Sequence, residues 1–60
     1  METNELRLMT LEAAKPLAWG MNGDVDRVDP DDLEALLAEV TEANWAEKAR
    51  ELAELAYWFN

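Results

Sequence analysis

The chain has sixty residues, fourteen acids against five bases, and no histidine, cysteine or serine, so its net charge is −9. That composition excludes a disulfide framework, thiolate or imidazole metal sites and the usual nucleophiles, and it sets the chain against nucleic acid and anionic membranes, which repel it. What remains is one small domain over residues 1–60 that removes only about 60% of its unfolded surface from water, which leaves room for a homodimer or a basic protein partner to add stability.

The N-terminal piece admits more than one reading. Thr3 or Asn4 can cap a helix whose apolar residues Leu6, Met9 and Ala13 follow the 3–4 spacing. "ELRLMT" also alternates like a short strand, and Thr10 could instead cap a helix that begins at Leu11. Pro16 lacks a backbone donor and restricts Lys15, so a first helix should stop or kink near Ala14. Leu17, Ala18 and Trp19 then form one more turn, closed by Gly20. The opening "METNELRL" has no basic segment followed by an apolar run, and no stretch approaches about 18 apolar residues, so the chain is read as cytoplasmic.

The second half is more sharply patterned. In "DPDDLEALLAEV", Asp29 suits the N-cap, Pro30 the first helical position, and Asp31 and Asp32 the positive end of the helix dipole. Leu33, Leu36, Leu37 and Val40 form one apolar stripe; Trp45, Ala49, Leu52, Ala56 and Phe59 form a second, with Asn44 and Glu47 spaced as a capping box. On one straight helix at about 100° per residue the two stripes would lie about 130° apart. A break between residues 41 and 44 resolves this, giving helices of about 30–40 and 45–59. One long helix that grips different neighbours with each half is the rival. The expected fold is all-α, a small three-helix arrangement with a C-terminal αα-hairpin, in which the first element could instead be a short strand.

Five aspartates fall within residues 24–32, "DVDRVDPDD". "NGDVDRVDPDDLEALL" resembles the calcium-loop-and-helix repeat of dockerin modules, but the ligand positions do not fit. With Asp32 at position 12 of an EF-hand loop, positions 1, 3 and 5 become Met21, Gly23 and Val25; with Asn22 at position 1, Arg27 takes the glycine place and Leu33 the bidentate one. No metal or other cofactor is expected. The acids read instead as a surface. Asp31, Glu34, Glu39 and, if the turn continues, Glu42 project opposite the leucine stripe, Asp32 falls on the same side, and Asp24, Asp26 and Asp29 extend the row into the preceding loop. Carboxylates spaced about 5–6 Å apart on a helix face approach the one charge per about 3.4 Å of a DNA strand. Residues 28–47 contain no base, whereas a merely solvated face usually alternates Glu with Lys.

Three tryptophans in so short a chain are a second excess. Trp45 lies on the apolar stripe and reads as core. Trp58 points away from that stripe, so it is either buried against the N-terminal piece or an exposed binding anchor. Carboxylates, Thr, Lys and one Tyr in a domain this small offer little for catalysis, and the chain is expected not to be an enzyme.

In length, acidity, helical content and lack of motifs, carried by "DVDRVDPDDLEALLAEVTEANWAE", the chain is similar to the small acidic anti-CRISPR proteins of phages. The resemblance implies a DNA mimic, acting in an infected bacterial host, that blocks target binding by a type I CRISPR surveillance complex through a basic groove of a Cas subunit. The other reading is a helical interaction module, an antitoxin or a transcription regulator, that binds through Tyr57, Trp58 and Phe59.

Overall fold

The structure, a computed structural model, describes residues 3–59. It contains helices α1 (Thr3–Gly20), α2 (Pro30–Leu37) and α3 (Trp45–Trp58), with a single 3₁₀ turn at Val25–Arg27 between the first two. There is no strand among the described residues. The fold is all-α, α2 and α3 forming the C-terminal hairpin, and the molecule measures 31 × 22 × 13 Å.

Of the expected stop or kink near Ala14, the stop does not occur, because helix α1 is continuous through Pro16, and that continuity also overturns the strand alternative. A proline inside a helix costs about 3 kcal/mol relative to alanine. Packing outweighs it here, because Ala14 and Ala18, one on each side of the proline, are completely buried. Thr10 does not cap a second helix. It lies in the helix interior, fully buried, and its hydroxyl donates to the Leu6 carbonyl at 2.7 Å, so the side chain satisfies itself within the helix.

The buried row of α1 is Leu6, Thr10, Ala14 and Ala18, an i,i+4 series, rather than the Leu6, Met9, Ala13 row expected from apolar residues alone. Opposite it, α3 buries Ala49, Leu52, Ala53 and Ala56. Small side chains on both helices let the two backbones approach closely, and Val25, Val28 and Leu37 fill the flank. Trp45 lies beside Leu8, Met9 and Ala13 of α1, while the far end of α3 abuts Gly23, just beyond the end of α1. The two long helices therefore run in the same sense and finish at the same end of the molecule.

That shared end is closed by a specific turn. Gly23 N–H donates to the Ala18 carbonyl at 2.7 Å and Asn22 N–H to the Trp19 carbonyl at 3.1 Å, the paired bonds of a Schellman motif. The left-handed residue such a motif requires is Asn22, with φ of 62°, two residues beyond the Gly20 at which α1 ends. Gly23 serves a different purpose, since a Cβ there would lie 2.8 Å from the Tyr57 amide nitrogen.

Helix α2 starts as expected, with the Asp29 carboxylate accepting from Asp31 N–H at 3.0 Å and Pro30 in the first turn. It ends at Leu37, three residues short of the expected boundary. Glu39 and Val40 donate to carbonyls three residues back, at 3.1 and 3.3 Å, so the last turn tightens and stops. The break between α2 and α3 is real, but the Asn44/Glu47 capping box does not form. Asn44 pairs with Thr41 instead: Thr41 N–H donates to Asn44 Oδ1 at 2.7 Å and Asn44 N–H to Thr41 Oγ1 at 3.2 Å. The Asn44 amide also donates to the Glu39 carbonyl at 2.9 Å, so one side chain stitches the end of α2 to the start of α3.

Candidate functional site

The segment between α1 and α2 shows why its aspartates and valines alternate. Val25 and Val28 turn inward and are nearly fully buried, which directs their polar neighbours outward. Two of the five aspartates also hold the backbone, Asp29 at the start of α2 and Asp24 by accepting from Asp26 N–H at 3.0 Å. Asp26, Asp29, Asp31 and Asp32 are all exposed. Glu34 follows them on α2. Because α2 ends at Leu37, however, Glu39 and Glu42 lie in the connection to α3 and not on the helical face where the sequence placed them.

Although residues 28–47 contain no base of their own, cations from elsewhere in the fold reach part of this surface. Arg7 of α1 lies 3.3 Å from the Glu34 carboxylate. Lys48 of α3 lies 3.2 Å from Glu39 and 3.1 Å from Glu51. Arg27 approaches Asp24 at only 4.0 Å. Hydrogen bonds to Glu51 and then to Glu39 hold the Lys48 ammonium above its ordinary pKa of 10.5. These are surface pairs, with the Glu34 and Glu39 side chains 64% and 69% exposed, so solvent screening leaves them little net attraction. Both carboxylates stay accessible, but the strongest anionic stretch contracts to Asp26, Asp29, Asp31 and Asp32. None of these four is ion-paired to a described residue. The described acids do not converge into any group of three or more placed to hold a metal ion.

Beside this stretch lies a feature the sequence only partly disclosed. Trp58 is exposed, at 80% the most exposed large apolar residue described, with Trp19 at 64% and Tyr57 at 51%; Met21, Leu17 and Phe59 are also exposed. All six belong to the last turns of α1 and α3 or the residues just after, at the end where those helices finish together. The Tyr57 and Trp58 rings meet edge to face with centroids 6.0 Å apart. Asp24 directly follows Gly23, which touches the Tyr57 backbone, so the acidic segment begins where the aromatic end stops. Trp58 was singled out by its position on the helical wheel. Trp19 was not, because nothing local distinguishes a buried helix-end tryptophan from an exposed one.

Trp45, expected in the core, is half-buried at the α1–α3 seam. There it lines a shallow, largely apolar groove of about 490 Å³ with Leu8, Met9 and Ala13, rimmed by Glu5 and Glu12. No helix among the described residues is long and apolar enough to cross a membrane. Comparison of the chain with protein-family models, with curated proteins and with solved structures yields no match.

Proposed function

We propose that this chain is an inhibitor that presents an acidic, DNA-mimicking surface to the nucleic-acid site of a basic protein. The observation that carries the reading is the run of four exposed aspartates, Asp26, Asp29, Asp31 and Asp32, with no internal cation among the described residues, on a molecule of net charge −9. Accessible Glu34 and Glu39 lengthen that run once a partner's arginines replace Arg7 and Lys48. The narrower form of the proposal, which follows the resemblance to acidic anti-CRISPR proteins, is a Cas subunit of a type I surveillance complex in the bacterial cytoplasm. The protein acts by occupancy and not by catalysis.

The test is to measure affinity for the partner retained in a pull-down from the native host, as a function of salt and of added duplex DNA. If the four aspartates act as four phosphates do, affinity drops about 10²-fold between 50 and 200 mM salt, and DNA competes. Changing all four to Asn removes the charge while leaving an oxygen acceptor at the Asp29 cap, so helical circular dichroism stays intact while binding is lost. Retained binding by that variant refutes mimicry by this surface. For the narrower proposal, the readout is target-DNA binding by a purified type I complex with and without the chain.

A second reading is favoured by the exposure of Trp58 at 80%. In it, the chain is a helical interaction module, an antitoxin or a transcription regulator, that seats Tyr57, Trp58 and Phe59 in an apolar groove. Its affinity would change little with salt and not at all with DNA.

A further inference from the structure

We infer that the aromatic end is a docking site for arginine side chains of a protein partner, with the Trp58 and Tyr57 rings receiving guanidinium planes while Asp24 and Asp26 accept their hydrogen bonds. The inference deepens the reading above, on which it rests for the basic character of the partner, by naming the residue type that the partner inserts.

Six of the seven exposed large apolar side chains described belong to the closing turns of α1 and α3 or the residues just after, Leu8 being the exception, and such a concentration of apolar surface marks an interaction site. Charge decides what covers it. Neither α1 nor α3 has a basic residue in its last turn, so the negative ends of both helix dipoles lie at this end of the molecule without a cation in either closing turn. Asp24 and Asp26 follow within three residues of Gly23. An apolar surface inside a negative field suits a group that is flat, cationic and weakly hydrated. Guanidinium meets all three conditions, stacking on aromatic faces and pairing with carboxylates at once, whereas an ammonium is compact and strongly hydrated.

The molecule already shows the carboxylate half of this arrangement. Arg27 rests at 4.0 Å from Asp24 with its side chain 66% exposed, a contact loose enough for an incoming guanidinium to displace. A second copy is disfavoured as the occupant, because a two-fold contact would bring Asp24 and Asp26 of each copy against the same end of the other. An anionic lipid surface is disfavoured by the same charge.

The experiment titrates the isotope-labelled full chain with octa-arginine and, separately, octa-lysine, following the Trp58 indole and Tyr57 ring resonances. Octa-arginine is expected to shift both sets, and Trp58→Ala to weaken its binding about two- to fivefold, the span of an exposed cation–π contact. The same substitution leaves octa-lysine affinity unchanged. Equal effects on the two peptides, or unchanged octa-arginine affinity in Trp58→Ala, would overturn the inference. So would a concentration-dependent dimer that Trp58→Ala dissociates in sedimentation, or binding of Trp58 to phosphatidylcholine vesicles. The two proposals fail separately. If a variant with Asp29, Asp31 and Asp32 changed to Asn, which leaves the arginine site intact, still binds the native partner while Trp58→Ala does not, mimicry by that face is wrong and the arginine site stands; the reverse pattern removes only the arginine site.

Discussion

Adding one methyl group at Gly23 should destabilise the protein, while adding the same group three residues earlier, at Gly20, should not. At Gly23 the new Cβ would lie 2.8 Å from the Tyr57 nitrogen and 3.0 Å from the Ala56 carbonyl carbon and the Tyr57 Cα. All three are backbone atoms of α3, so no side chain can rotate aside and the C-terminal end of α3 must move. Overpacking of this kind costs about 1–3 kcal/mol, a large share of the ~3–9 kcal/mol expected for a domain of this length. At roughly 4–8 °C per kcal/mol, the thermal midpoint should fall by about 4–24 °C. At Gly20 nothing lies within 4 Å and φ is not positive, so alanine only restricts the unfolded chain and should add about 0.4–1 kcal/mol. Urea unfolding of both variants, followed by far-UV circular dichroism, measures the contrast. A Gly23→Ala protein as stable as the parent would refute the close approach of α3 to this turn.

Four further outcomes are expected. Pro16→Ala restores a helical hydrogen bond in α1 and should stabilise by about 1–3 kcal/mol in the same urea assay, allowing for the freedom the unfolded chain regains. Leu52, fully buried against the alanines of both long helices, should cost about 2–5 kcal/mol when cut to alanine, enough to leave a population of unfolded chains visible by NMR. Thr41→Ala and Asn44→Ala should each cost about 1 kcal/mol, and the double variant less than their sum, since each side chain accepts from the other residue's backbone N–H. For Lys48, whose folded pKa is raised by Glu51 and Glu39, the contribution to stability is complete below pH 10.5 and is lost as pH rises through the folded value. Alkaline unfolding midpoints should therefore converge between the parent and Lys48→Met, the gap between them closing only above that pH.

Much of the fold could be read from residue order, and the parts that could not share one cause. Asp29-Pro30 marks the start of α2 unambiguously because both residues act locally, and the leucine stripe and the break before α3 follow from spacing. The continuity of α1 could not be read, because Pro16 argues locally for an end and is overruled only by Ala14 and Ala18 meeting α3. A search for large apolar residues finds Leu6 but passes over the rest of the buried row, Thr10, Ala14 and Ala18, where smallness and not hydrophobicity is the selected property. The acidic segment was visible as composition. Its partial neutralisation was not, since Arg7 meets Glu34 and Lys48 meets Glu39 across turns of the fold, and neither pair has a local signature.

The alanine seam between α1 and α3 has a consequence for how folding and recognition divide the sequence. Alanine gives up no rotamer freedom when it is buried, so Ala14, Ala18, Ala49, Ala53 and Ala56 bring two helices together without that entropic loss, and they leave no space between them for a ring. Bulky residues at the helix ends are consequently displaced outward, where they contribute little to the unfolding free energy. On the proposed reading, folding and recognition thus rest on largely disjoint sets of side chains, and substitutions at Trp19 or Trp58 would retune the choice of partner while the scaffold beneath stays as it is.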